Sequence, residues 1–308
     1  MTELTVRVSD RRDTGTGVFV LELVAADGDR LPPWSPGAHI DVAAGPAGVR
    51  QYSLCGDPAD RRRWRLAILR EPGGRGGSDH LHRTAHPGVE LRVSLPRNNF
   101  ELLPADDYLF VAGGIGITAI LPMVIAAERA GARWTLHYGA RTRAHLCFAD
   151  ELARYHAVRL APQDESGLLP VAQLLDGTTA TVYCCGPEPL LAAVESEAAR
   201  RGIPVRTERF VPQPVEAAAD RSFELRLARS GRTLHVAAGR SIVEVCEAAG
   251  VPIVTSCREG TCGSCETDVL DGEVAHRDSV LDADERARGA TLMPCVSRAI
   301  SDVLVLDL

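Results

Sequence analysis

"CREGTCGSCETDVLDGEVAHRDSVL" (257–281) carries three cysteines in its first nine residues. What those thiols hold decides how the rest of the chain is read. The spacing is Cys257-x4-Cys262-x2-Cys265, and Cys295 follows in "MPCVSRA". C-x4-C-x2-C with a distant fourth cysteine is the plant-type spacing of a four-thiolate [2Fe–2S] site. The glycines fit that chemistry. Cluster sulfides accept hydrogen bonds from backbone N–H groups, so the loop must wrap closely, and Gly260 and Gly263 permit both close approach and positive φ. Structural zinc is the alternative, but zinc sites usually pair two short knuckles. Here one triple knuckle meets a lone cysteine.

Upstream of this loop, "FELRLARSGRTLHV" (223–236) reads as a hairpin around Ser230-Gly231. Ser241 can cap a helix over "IVEVCEAA", ended by Gly250. "VLVLDL" (303–308) reads as a closing strand. Cys246 falls on the apolar face of the helix and is expected in the core, as are Cys55, Cys147 and Cys184. His276 and Asp278 are expected in a solvated turn.

The remaining 222 residues change rhythm twice. Up to about residue 103, "TVRVSD", "GVFVLELVA", "HIDVAA", "RQYSLC", "WRLAILRE" and "VELRVSLP" are short strand patterns punctuated by Gly and Pro. They predict an antiparallel barrel. From residue 104, "YLFVAGG", "AILPMVIAAERAGA", "WTLHYGA", "FADELARY", "AVRLAP", "VAQLL", "ATVYCCGP", "LLAAVESEAARRG" and "VRTERF" alternate strand and helix. That alternation predicts a parallel sheet covered on both faces. "VPQPVEAAADRS" (211–222) has little to bury and reads as a linker. The expected organisation is a barrel over 1–103, an α/β domain over 104–211, a linker over 212–222 and an α+β domain over 223–308.

The chain has 308 residues, 45% hydrophobic and 24% charged, enough for ordinary globular cores. Nine cysteines without an apolar leader point to metal or redox chemistry in the cytoplasm rather than to a disulfide scaffold. No stretch approaches the roughly 18 apolar residues of a membrane span. All basic residues are arginine. The net charge is −7, and the stretch from Phe223 onward accounts for −5 of it, with 9 arginines against 14 acids. An acidic domain without a basic patch excludes nucleic acid and suits docking to a basic partner surface.

Taken together, the chain resembles the phthalate dioxygenase reductase family. This is a branch of the ferredoxin–NADP reductase superfamily that includes the vanillate demethylase reductases. The resemblance spans nearly all residues and is most specific in "SCREGTCGSCETDVLDGEVAHRDSVL" with "CVSRA". It implies a flavin-binding barrel, a nicotinamide domain and a C-terminal β-grasp ferredoxin, and it makes Cys257, Cys262, Cys265 and Cys295 the cluster ligands. "RQYSL" (50–54) matches the family's flavin motif. Arg50 would pair with the flavin phosphate, Tyr52 would pack on the isoalloxazine, Ser53 would reach the N5 edge, and Gln51 would be a further cofactor contact.

"GRGGS" (74–78), opening into "DHLHRTA", is a phosphate cradle at a helix start. It gives Gly76, Gly77 and Ser78 as contacts, with Arg70 and Arg75 in support. This glycine-rich form resembles the FMN-binding members, hence FMN rather than FAD. In "GGIGIT" (113–118), Gly114 and Gly116 would let a dinucleotide approach the backbone. Thr118 would sit near the flavin–nicotinamide contact. "YCCGPEPLL" places Cys185 beside the nicotinamide, with Gly186 and Pro187 shaping the pocket. Phe210, in "RTERF", would cover the flavin face where nicotinamide stacks.

No acid follows the strand "TLHYGA" to hold a ribose hydroxyl, while Arg141 and Arg143 do follow it. The family nevertheless favours NADH. The implied activity is hydride transfer from NADH to FMN, then single electrons through a [2Fe–2S] cluster to a separate terminal oxygenase. A Rieske-type oxygenase is the first candidate and a cytochrome P450 the second. A monomer is expected. The rivals are a flavin reductase that releases reduced flavin, and a non-enzymatic iron–sulfur redox sensor.

Overall fold

The computed structural model describes residues 3–212 and 220–308. It divides into two compact units, 1–208 and 209–308. Most of the expected linker, residues 213–219, lies outside the described residues.

The first unit begins with six antiparallel strands. They are β1 (Glu3–Asp13), β2 (Val18–Ala25), β3 (His39–Ala43), β4 (Val49–Ser53), β5 (Trp64–Leu69) and β6 (Glu90–Ser94). Their order is β4-β3-β6-β1-β2-β5, and a bridge between Leu54 and Leu66 joins the two ends. Period-two alternation buries Val6 and Val8 of β1, Ile40 and Val42 of β3, and Trp64, Leu66 and Ile68 of β5 in one core. Helix α1 (Gly77–Thr84) buries Leu81 in that core.

The same unit continues into a parallel sheet: β7 (Asp107–Gly113), β8 (Arg133–Ala140), β9 (Val158–Pro162), β10 (Thr181–Cys185) and β11 (Val205–Glu208). The order is β11-β10-β7-β8-β9, all parallel. β7 is buried almost throughout, as a central parallel strand must be. Helix α2 (Ile117–Ala130) covers one face with Ile117, Ile120, Leu121 and Val124. Three one-turn helices follow in the crossovers: α3 (Ala149–Leu152), α4 (Gln163–Ser166) and α5 (Val171–Leu174). Helix α6 (Glu188–Arg201) covers the other face with Leu191, Val194 and Ala198.

The barrel and the sheet form one unit because their cores merge. Val18, Val20 and Ala67 of the barrel join the cluster built on α2, β7 and β8. Arg65 also grips Glu151 with two hydrogen bonds of 2.9 and 3.2 Å and lies over the Phe148 ring.

The second unit holds β12 (Phe223–Leu227), β13 (Arg232–Val236), α7 (Ile242–Ala248), β14 (Thr267–Asp271), β15 (Val274–Ala275), α8 (Ala283–Arg288), β16 (Thr291–Leu292), β17 (Arg298–Ala299) and β18 (Val303–Leu306). Its main sheet runs β13-β12-β18-β14-β16, with β12 and β18 parallel and the other pairs antiparallel. β15 and β17 form a separate short ribbon. The hairpin β12–β13 turns at Ser230-Gly231, and Ser241 caps α7 in a reciprocal box with Glu244. Ile242 and Cys246 of α7 pack on Phe223, Leu225 and Leu304. The far end of the linker is pinned to this unit, since Asp220 accepts a 2.6 Å hydrogen bond from Arg277.

Candidate functional site

β4 and the turn into α1 form the first part of the site. The Arg50 side chain lies across Gly77: a Cβ there would stand 2.5 Å from Arg50 Cγ and 2.8 Å from its Nε. The guanidinium donates to the Arg75 carbonyl at 3.1 Å and to the Val49 carbonyl at 2.8 Å. This places a planar cation beside the first turn of an eight-residue helix. Its N-cap, Gly76, sits at φ +81° and supplies no side-chain cap. The first-turn N–H groups and Arg50 are therefore a donor set suited to a phosphate. Tyr52 is partly buried, packs against the barrel core, and has its phenol pushed up to about 12 by burial. Ser53 is buried beside it in sequence.

Two expected contacts point elsewhere. Gln51 alternates to the other side of β4 and donates to Asp41 at 2.7 Å, in a network shared with Arg97. Arg70 is paired with Asp79 at 2.8 Å. Ser78 accepts the Glu71 N–H at 3.1 Å, which closes the base of the glycine loop.

The second part lies where the strand order reverses. β7 leads through α2 to β8 on one side, while β10 returns on the other, so the C-terminal ends of β7 and β10 flank a crevice of the kind that binds dinucleotides. "GGIG" and "CGP" occupy those two ends and press on each other. A Cβ on Gly116 would stand 2.3 Å from the Cys185 carbonyl oxygen, and one on Gly113 would stand 2.6 Å from Pro187 Cδ. One on Gly186 would stand 3.0 Å from Gly113 Cα. Gly116 is thus needed for backbone-to-backbone packing, a different reason from the dinucleotide approach expected of it. Gly114 has φ +54° with nothing within 4 Å of an added Cβ, so it keeps the open approach. The Tyr138 phenol of β8 donates to the Gly114 carbonyl at 3.0 Å and accepts the Cys147 N–H at 3.0 Å, which fixes the turn. Thr118 is buried, and its hydroxyl donates to the Ile115 carbonyl at 2.9 Å.

Cys185 is fully buried, and burial raises its thiol well above the usual value. It is a neutral wall, not a thiolate. Its register partner on β11 is Glu208, whose carboxyl burial pushes up to about 8 and whose Oε2 has no hydrogen-bond partner. Sequence reading passed over Glu208, because only the β10–β11 pairing brings it to Cys185.

At the end of β8, Arg143 is paired with Glu165 at 3.0 and 2.5 Å. An acid does reach this corner, delivered by α4 from across β9. Arg141 is exposed. Phe210, 43% exposed, follows β11.

The third part is the cysteine loop. Cys265 Sγ and Cys295 Sγ are 3.4 Å apart, and the Cys257 sulfur accepts the Glu259 N–H at 3.3 Å. Interaction among the neighbouring thiols favours the thiolate at Cys257 and the thiol at Cys262 and Cys295. All four are buried and none is in a disulfide. Gly260 and Gly263 have φ +71° and +70°, and Arg258 has φ +58°. Among the described residues, no three His, Cys, Asp or Glu side chains are arranged to hold a metal ion. The four thiols nevertheless come together, with Cys265 against Cys295 and Cys257 interacting with Cys262 and Cys295. Four convergent thiols, three from one glycine-turned loop, suit a two-iron cluster better than the paired short knuckles of a zinc site.

His276 and Asp278 are not in a solvated turn. The Asp278 side chain is 0% exposed and that of His276 is 9% exposed. Asp278 is held under Gly260 by the close passage of the two backbones.

An antiparallel barrel, a parallel dinucleotide sheet and a cysteine-loop domain together define a flavin- and nicotinamide-dependent reductase with its own [2Fe–2S] ferredoxin. Residues 225–299 match the family of 2Fe-2S iron-sulfur cluster binding domains. The chain is 43% identical over 300 residues to the phenoxybenzoate dioxygenase subunit beta of Ectopseudomonas oleovorans, covering 94% of this chain and 93% of that one. Among solved structures, phthalate dioxygenase reductase superposes with a TM-score of 0.72 at 36% identity, covering 99% of this chain and 98% of that one. An intact type IV self-sufficient cytochrome P450 monooxygenase gives 0.93 at 41% identity, and here the chain spans 99% of itself but 41% of the longer protein. The chain belongs to the phthalate dioxygenase reductase family, the flavin- and [2Fe–2S]-containing reductase components of oxygenase systems. Its partner is a terminal oxygenase. Among the described residues no helix is long and apolar enough to cross a membrane.

Proposed function

We propose that the chain oxidises NADH through bound FMN and a [2Fe–2S] cluster on Cys257, Cys262, Cys265 and Cys295, and delivers single electrons to a Rieske-type oxygenase. The observation that carries this reading is the convergence of four buried thiols, three of them from a loop turned by left-handed glycines. When bound, the cofactors supply hydride acceptance, the splitting of an electron pair and one-electron transfer. The protein supplies position and electrostatics. Arg50 and the first turn of α1 bind one phosphate, which supports FMN. Tyr52 offers an apolar aromatic surface to the flavin ring. The packed ends of β7 and β10 hold the nicotinamide, with neutral Cys185 as a wall that repels no charge and excludes water. Phe210 covers the flavin until nicotinamide displaces it.

NADH is favoured over NADPH because Glu165 puts a carboxylate on Arg143. That carboxylate offsets the charge a 2′-phosphate would need. The likeness to the P450 fusion supports a second reading, with a P450 as acceptor. The protein acts as a cytoplasmic monomer.

Acid release of the flavin from purified protein tests FMN, and stoichiometric FAD overturns it. Arg50→Ala should weaken flavin binding by about 1.5–3 kcal/mol, ten- to hundred-fold. Phe210→Ala should alter the rate of flavin reduction by NADH with the cluster spectrum intact. Turnover of a Rieske oxygenase and of a P450, each supplied with this chain and NADH, decides the acceptor.

A further inference from the structure

Beneath the cysteine loop lie a buried carboxylate, Asp278, and a largely buried imidazole, His276, flanked by the one-third exposed Arg286 guanidinium, none of which the electron path uses. Asp278 Oδ1 accepts the N–H groups of Val280 at 3.0 Å and Leu281 at 2.8 Å. Its Oδ2 has no hydrogen bond. Facing it are His276, with Nδ1 at 3.8 Å from Oδ2, and Arg286 of α8, with NH2 at 4.0 Å from Oδ1 and 2.6 Å from the Asp278 carbonyl. Neither ring nitrogen of His276 makes a hydrogen bond of normal geometry, though the Arg286 backbone lies close enough to favour the protonated ring. Arg286 Nε is also without a partner. The neighbouring cations turn away: Arg277 and Arg298 face Asp220 at 2.6 and 3.6 Å.

This set is joined to the cysteine loop at two points. Ser279 N–H donates to the Gly260 carbonyl at 2.8 Å, and Gly260 passes so close that an added Cβ would stand 3.0 Å from Asp278 Cα. Leu281, held by the Asp278 carboxylate, packs with Cys265, Cys295, Met293 and Val243. A change at Asp278 therefore reaches Gly260, between two of the cysteines, and the apolar wall behind the other two.

We propose that Asp278 is a positioning residue for the [2Fe–2S] loop and that His276 is its proton-accepting partner, so that an electron arriving at the four cysteines is accompanied by a proton taken from solvent onto the His276 imidazole. The electron comes from NADH through the reductase activity. The proton leaves a hydronium or buffer acid and forms an N–H bond on the ring that faces Asp278 Oδ2. Charge explains the coupling. With His276 neutral, the set carries one carboxylate and one guanidinium. Burial holds His276 below the ordinary imidazole value while Asp278 pulls the other way. An added negative charge at the loop strengthens the ring's hold on a proton, and by reciprocity a proton on the ring favours reduction.

The inference rests on the four cysteines holding a cluster, and one experiment separates the two. The purified full chain is titrated electrochemically at pH 6, 7, 8 and 9, with the reduced cluster read by EPR. A chain without an iron–sulfur signal overturns the cluster reading and this proposal with it. With the signal present, the wild-type equilibrium constant for reduction should be about tenfold more favourable at pH 6 than at pH 8, or 59 mV for one electron. His276→Gln should flatten that dependence while keeping the signal. A wild-type potential independent of pH, or a His276→Gln protein with the wild-type slope, overturns the proton linkage. Asp278→Asn should shift the potential at every pH or shorten the life of the cluster. Wild-type potential, slope and cluster lifetime in Asp278→Asn overturn the positioning role.

Discussion

Two stretches of this chain combine cysteines with glycines, and they use them in opposite ways. In the loop at 257–265, Gly260 and Gly263 take left-handed φ and curl the backbone so that thiols face each other. At the ends of β7 and β10, Gly113, Gly116 and Gly186 are there because two backbones touch. The cysteine between them, Cys185, is sealed off with a raised thiol. What marks out the loop cysteines as proposed ligands is that several thiols converge there, whatever each thiol's own titration. A lone thiol in an apolar strand end is a small hydrophobic wall.

The largest effect that tests this contrast is loss of the cluster. Cys295→Ser should remove the iron–sulfur absorbance and EPR signal while NADH still bleaches the flavin, whereas Cys185→Ser should keep the full cluster signal. Two iron and two sulfide retained in Cys295→Ser would sink the contrast.

Next is the packing at the strand ends. Gly116→Ala forces a Cβ to 2.3 Å from a carbonyl oxygen that cannot rotate away. It should destabilise the first unit by roughly 3 kcal/mol in chemical denaturation. Gly114→Ala meets open space and should cost about 1 kcal/mol for its left-handed φ alone. Equal costs would mean the two motifs are not pressed together.

Glu208 sharpens the same site through pH. Its carboxyl is raised to about 8 against an ordinary 4.5. Between those values the folded chain binds more protons than the unfolded one, so this group's contribution to stability is intact below about pH 4.5 and falls as pH rises towards 8. The slope is on the order of 1 kcal/mol per pH unit. Glu208→Gln should remove that decline in the first unit, which denaturation at pH 5, 6.5 and 8 would measure. An unchanged slope would show that Glu208 is not buried as a neutral acid.

The smallest effect concerns coenzyme choice. Arg141→Ala should change kcat/KM for NADH only a few-fold, less than about 1.4 kcal/mol. Glu165→Gln frees Arg143 and should improve NADPH relative to NADH. A strong NADPH preference that collapses in Arg141→Ala would reverse the assignment.

The amino-acid sequence by itself determined the elements and the fold class. Alternating strands such as "WRLAILRE", the apolar run "YLFVAGG" and the Ser241 cap are local patterns, set by side-chain periodicity and backbone propensity, and they lie where the patterns put them. The cysteine spacing was equally legible as a pattern, because a four-thiolate cluster would need its ligands at defined chain separations. Tertiary structure alone decided which residues meet across those separations. It turned Gln51 to Asp41, delivered Glu165 to Arg143, set Glu208 beside Cys185, and buried Asp278 under Gly260 with His276 facing it. Each of these depends on strand register or on one loop passing beneath another. Such placements follow from the packing of whole units, and no local run of residues encodes them.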